Sequence, residues 1–178
     1  MSSKERRVSA KAHPGLGTKR FLRYRAAFAR VRESEKSGYY LEGIAIVDSL
    51  LSDRLASRLG HLRGTYPEIQ LTTGALCKEL LGRAIEKDTA FRAEVERIKE
   101  WVKTRNDAIH ATAKTLRSNE AKSFSDLLKA HRSVLASGIE RLKAFNALDV
   151  MARRANGAKR PATEPGAFDD TGSGRERD

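Results

Sequence analysis

Residues 91–110 read FRAEVERIKEWVKTRNDAIH, and how this stretch is read decides the fold of the chain. Phe91, Val95, Ile98, Val102, Arg105, Ile109, Thr112 and Leu116 recur in alternating steps of four and three. That spacing places all eight on one face of a helix, because 3.6 residues complete a turn. Asp88-Thr89 supplies an N-cap, so the helix is expected to run from there to about Leu116. One member of the row is out of character. Arg105 carries a charge where the pattern calls for an apolar side chain, at a cost on the order of several kcal/mol unless it is paired.

The same period continues on both sides. Upstream, Phe21, Tyr24, Phe28 and Val31 predict a helix from Thr18 to about Ser37-Gly38. A longer one is expected from Tyr39 to about Leu62, with Leu41, Ile44, Asp48, Leu51, Leu55, Leu59 and Leu62 on one stripe. Gly64 to Pro67 breaks the pattern, and the polar run to Gly74 reads as a loop. Leu76, Leu80 and Leu81 predict a short helix from Ala75 to about Glu86.

Ser123-Phe124-Ser125-Asp126 resembles a capping box with Asp in place of Glu. It opens a last helix through Leu127, Leu128, His131, Leu135, Leu142 and Phe145, to about Ala155. Nothing alternates at period two for long enough to form a sheet. The expected fold is therefore all-α, an antiparallel bundle of four to five helices over residues 18–155. A disordered basic arm (1–17) and a disordered tail (156–178) rich in Gly, Pro, Asp, Arg and Ser are expected to flank it.

The 178 residues suit one domain. The net charge is +12, and residues 1–37 supply +8 of it through eleven Lys/Arg against three Asp/Glu. Such an imbalance points to a polyanionic partner, RNA, DNA or an acidic protein, or else to a solubilising tail. Aromatic residues are sparse and not interleaved with the cations, which favours phosphate contact over base stacking. The single Cys77 excludes an intrachain disulfide and reads as a core thiol in a reducing cytoplasm. No apolar run reaches the length of a membrane span or a signal-peptide core, so no membrane partner is expected.

Asp48 is the counterpart of Arg105, a charge in an otherwise apolar row. Opposite charges on two long helices invite pairing across the bundle, either as a register-fixing ion pair or as a carboxylate that orients the Arg at a reaction site. Glu42 is a second candidate acid, although its row (Glu42, Ile46, Ser49, Asp53) is mostly polar and reads as solvated. Asn106 and His110, four apart, share the row beside Arg105. An Arg, an amide and an imidazole there suit phosphate chemistry. His131 lies between Leu128 and Leu135 and reads as a satisfied core or interface histidine; Trp101, just off the seam, reads as packing.

Arg105-Asn106-x3-His110 on a late helix resembles the HEPN family (higher eukaryotes and prokaryotes nucleotide-binding), whose ribonuclease members carry an Arg-polar-x3-His signature. The acid on an earlier helix, Asp48 or Glu42, is similar to that family's helix-borne carboxylate. The resemblance covers roughly Thr18 to Ala155. Arg7…His13 and Arg54…His61 also fit the family's looser spacing. The first lies in the arm, and the second sits at a helix end where a cation complements the dipole. Thr112 stands where many toxin-type relatives place a Tyr that is associated with regulation by nucleotide transfer.

The resemblance implies a metal-independent endoribonuclease with no cofactor, in phage defence, stress response or a toxin–antitoxin pair. It further implies a homodimer with two motifs facing one cleft, and a neutralising antitoxin or regulatory partner. The competing expectation is a non-catalytic helical module of the same fold that binds nucleic acid or protein. A dimeric DNA-binding regulator is disfavoured, because no helix-turn-helix with a short Gly turn is evident.

Overall fold

The computed structural model describes residues 16–64, 71–82, 85–113 and 123–158. Five helices account for nearly all of them, and none of the described residues forms a strand. They are α1 (Leu16–Ser37), α2 (Tyr40–Arg63), α3 (Thr73–Leu81), α4 (Thr89–Ala113) and α5 (Phe124–Ala158). Much of the predicted arm and tail lies outside the described residues. Helix nonetheless begins at Leu16 and persists to Ala158, beyond both expected limits.

Local chemistry sets the ends. Gly38 adopts φ +78° between α1 and α2, a left-handed conformation that costs glycine little, and the Tyr39 amide donates back to the Ser34 carbonyl at 2.8 Å. Asp88 caps α4, its Oδ1 accepting from the amides of Ala90 (2.9 Å) and Phe91 (3.2 Å). Ser123 Oγ accepts from the Asp126 amide at 3.2 Å and donates to Asp126 Oδ2 at 2.7 Å, closing the expected cap of α5. Residues 114–122 are not among those described, so the predicted end of α4 at Leu116 lies outside them.

The short helix departs from expectation at both ends. α3 starts at Thr73, with Thr72 Oγ1 accepting from the Ala75 amide, and stops at Leu81 rather than Glu86. Gly82 turns the backbone out (φ −73°, ψ 151°), and Glu86 is drawn into a two-point ion pair with Arg58 of α2 at 2.7 and 2.9 Å. Glu86 is 1 % exposed, and the Arg58 guanidinium compensates its buried charge.

Pairwise contacts give the directions. Arg30–Glu42 and Tyr24–Asp53 make α1 and α2 antiparallel. Asp48–Arg105 and the Arg58 guanidinium over the Phe91 ring (3.8 Å) set α4 antiparallel to α2. Trp101–Val134 and Glu94–Arg141 do the same for α4 and α5. Gly43 against Leu135 and Arg54 beside Asp149 make α5 parallel to α2. α2, α3, α4 and α5 pack in a ring, each touching its two neighbours, and α1 lies outside against α2.

The core is the set of stripes the periodicity predicts. Ile44, Leu51, Leu55 and Leu59 of α2 and Phe91, Val95, Ile98 and Val102 of α4 are buried. They meet Leu76 and Leu80 of α3 and Leu135, Leu142 and Phe145 of α5. Two apolar members of the predicted stripes are exposed: Leu41 is 40 % exposed and Ile109 is 38 % exposed. Both lie at the same end of the bundle, past the level at which α3 begins. α3 has nine residues against 24 and 25 for α2 and α4, so no described helix covers that end of the diagonal between them.

Candidate functional site

Asp48, Thr73 and Arg105 come together where α3 begins. Arg105 Nη1 donates to Asp48 Oδ2 at 3.1 Å, and the Thr73 hydroxyl donates to Asp48 Oδ1 at 2.8 Å. The side chains of Arg105 and Asp48 are 17 % and 25 % exposed. The row of α4 that holds Ile98 and Val102 in the core thus delivers a guanidinium to the next turn, and a carboxylate from α2 meets it there. This is the cross-bundle pairing that the two misfit charges predict. Charge-assisted bonds to both carboxylate oxygens offset much of the loss of water.

The guanidinium is not fully used. Arg105 Nε is buried with no hydrogen-bond partner, and no hydrogen bond among the described residues engages Nη2. The centre of the Trp101 ring lies 5.9 Å from the guanidinium carbon. That indole is itself fixed, because Nε1 donates to the Val134 carbonyl at 2.9 Å.

Asn106 and His110 are exposed and form no hydrogen bond among the described residues. His110 follows Arg105 by five residues, which turns it about 140° around α4 and moves it about 7.5 Å along the axis. Within one chain the Arg points to the bundle and the His points to solvent. Both lie in the C-terminal half of α4, toward the end of the bundle where Leu41 and Ile109 are exposed.

Glu42 stands apart from this group. Arg30 of α1 donates to both its carboxylate oxygens (2.7 and 3.1 Å), and Ser34 Oγ adds a third bond at 3.0 Å. The expectation that Glu42 is simply solvated is therefore replaced by a two-partner clasp. The bonds from Arg30 first, then from Ser34, hold its carboxyl below the usual range. Glu42 and Asp48 lie about 120° apart around α2, so only Asp48 reaches Arg105.

His131 sits in the core, 2 % exposed, with Nε2 3.1 Å from the Ala108 carbonyl and 2.9 Å from Thr112 Oγ1. A carbonyl oxygen only accepts, so the bond to Ala108 puts the proton on Nε2. The ring is a satisfied core histidine, and it ties the turn of α4 carrying Asn106 and His110 to α5. Thr112 contributes to that anchor. Thr73 does not stand out in the sequence, where the polar run to Gly74 reads as a loop; a Thr pair just ahead of an apolar run is the N-cap signal that locates it.

On the α5 flank of α4, Trp101 floors a groove of about 490 Å³ lined by Arg97, Thr104, Ser133, Ser137 and Arg141. Neither Arg105, Asn106 nor His110 lines it. Among the described residues no group of three or more His, Cys, Asp or Glu is arranged to hold a metal ion, and no helix is long and apolar enough to cross a membrane. Comparison with models of known protein families, with curated proteins and with solved structures yields no match.

Proposed function

We propose that this chain is a HEPN-like, metal-independent endoribonuclease that works as a homodimer. The observation that carries the reading is the Asp48–Arg105 pair on the same stretch of α4 as the exposed Asn106 and His110, at an end of the bundle where Leu41 and Ile109 are exposed. An Arg anchored on one side by a carboxylate is held in place, and the terminal N–H groups that remain are donors suited to a phosphate. An imidazole exchanges a proton near neutral pH, and an amide can orient it or an oxygen.

In this reading the 2′-hydroxyl of the RNA attacks the adjacent phosphorus, giving up its proton to an imidazole. The P–O5′ bond breaks, and an imidazole protonates the leaving 5′-oxygen. The products are a 2′,3′-cyclic phosphate and a 5′-hydroxyl. Arg105 bears the charge that grows on the non-bridging oxygens. Arg105 and His110 diverge within one chain, so a second copy packed over Leu41 and Ile109 would bring the Arg of one protomer toward the His of the other. Phage defence, stress response or a toxin–antitoxin pair, in the cytoplasm and under a neutralising partner, is the setting in which such an activity makes sense.

One observation favours the competing reading of a non-catalytic binding module. Arg105 is largely buried against Asp48 while His110 points away, an arrangement that a register-fixing ion pair would also produce. Incubating wild type and His110→Ala with labelled RNA in excess EDTA separates the two. Cleavage by wild type alone, with 2′,3′-cyclic phosphate ends, is the expected result; equal behaviour of the two proteins on several RNAs leaves the binding module.

A further inference from the structure

Cations on most of this protein are matched by a neighbouring carboxylate. Arg54, Arg58 and Arg63 of α2 each have one, as do Arg97, Lys99, Lys103 and Arg105 of α4. α1 is different. Of its described cations only Arg30 is paired, with Glu42. Arg23, Arg25, Arg32 and Lys36 are exposed and take part in no ion pair among the described residues.

Three of these form a line. Arg25, Arg32 and Lys36 are spaced by seven and four residues, so they lie within about 40° of one another around α1 and span about 16 Å along it. Beside the line run Leu22, Ala26 and Ala29, exposed and mostly small, which lets a backbone approach the helix closely. Two acids flank its C-terminal end, Glu33, which accepts from Ser37 Oγ, and Glu35. The sequence N-terminal to this line, residues 1–21, adds six Lys/Arg against one Glu.

We infer that the outer face of α1 is a nucleic-acid docking surface, holding RNA phosphates through Arg25, Arg32 and Lys36 away from the candidate site. A line of unneutralised cations on a rigid rod fits a polyanion whose charges repeat every few ångströms. A lipid surface fits less well, because among the described residues the face offers Leu22 as its one large exposed apolar side chain. The surface is separate from the Asp48–Arg105 pair. Gly43, which faces Ser34 of α1, and Asp48 lie about 140° apart around α2, so α1 and the site occupy different sides of the bundle.

Naming RNA as the ligand rests on the ribonuclease reading, and the experiment keeps the two apart. Full-length His110→Ala protein is titrated with fluorescently labelled RNA over a range of salt, followed by anisotropy. The measurement is repeated with Arg25→Ala/Arg32→Ala/Lys36→Ala added, and with Lys78→Ala/Lys87→Ala/Lys143→Ala as a control that removes the same charge elsewhere. The α1 triple is expected to bind roughly tenfold or more weakly at 0.1 M salt, with the slope of log K against log salt reduced by about two; the control triple stays close to the parent.

Equal losses in the two triples would mean net charge rather than this face, and would overturn the inference. So would binding to phosphatidylserine vesicles that depends on the three residues while RNA binding does not. RNA binding that depends on α1, in a protein that cleaves nothing, would remove the ribonuclease reading and leave this surface standing.

Discussion

Arg105 of α4 and Asp48 of α2 stand 57 positions apart in the sequence and meet at 3.1 Å, with Thr73 of α3 bonded to the carboxylate's other oxygen. Three helices thus share one polar contact at the edge of an apolar core. Removing one partner is expected to cost more than removing both. Asp48→Ala should destabilise the protein by about 2 kcal/mol, below the range for fully sealed pairs because both side chains retain some solvent. Adding Arg105→Ala should restore part of the loss. Urea unfolding of the four proteins in the cycle measures the coupling, and strictly additive losses would show that the pair does not act as a unit.

Gly138 of α5 lies under the Trp101 ring, where an added Cβ would come within 2.7–2.9 Å of three ring atoms. The ring has little room to retreat, because its Nε1 is bonded to the Val134 carbonyl. Gly138→Ala should therefore cost about 1–3 kcal/mol through overpacking, despite the better helix propensity of Ala. Trp101 is the single Trp, so its emission should report the displacement directly. An unshifted spectrum and an unchanged urea midpoint would contradict this packing.

Glu42 links acid stability to the α1–α2 hairpin. Its carboxyl is held below the ordinary range by Arg30 and Ser34, so the folded state binds that proton less readily than the unfolded chain. The stability it contributes is present above the unfolded pKa of about 4.3 and is lost as pH falls through the folded value. Glu42→Gln should lower the urea midpoint at pH 7, and the gap from wild type should narrow as the pH falls below about 4.3. A gap that is constant with pH would place the effect in packing rather than charge.

Burial pushes the Cys77 thiol up to about 12. The thiolate is the nucleophile, so native protein at pH 8 should resist iodoacetamide and become reactive only on unfolding. Mass spectrometry after timed exposure, with and without urea, checks this. Rapid native alkylation would mean that α3, which carries Cys77, opens locally.

These expectations show which parts of the molecule are legible in the chain. The seam Phe91–Val95–Ile98–Val102, the Asp88 cap and the Ser123–Asp126 cap were readable because each depends on residues within a turn or two. His131 as a satisfied core histidine was readable from its apolar row. The end of α3 was not. Leu80, Leu81 and Ile85 continue a helical period, whereas the helix ends at its Gly82 C-cap and Glu86 bonds Arg58, 28 positions away. Ile109 and Leu41 belong to apolar stripes by period, yet whether they are covered depends on the length of a neighbouring helix rather than on their own.

By itself the sequence determined that the chain is helical, which face of each helix turns inward, and that Arg105 and Asp48 are misfits in those faces. Periodicity encodes this, because a helix repeats every 3.6 residues whatever surrounds it. The tertiary structure alone decided that the two misfits join, that Thr73 completes their contact, and that Glu42 goes to Arg30 instead. It alone left Arg23, Arg25, Arg32 and Lys36 of α1 without a carboxylate among the described residues. Such pairings depend on the relative placement of elements dozens of residues apart, where burial and desolvation, acting over the whole bundle, select one partner from several candidates.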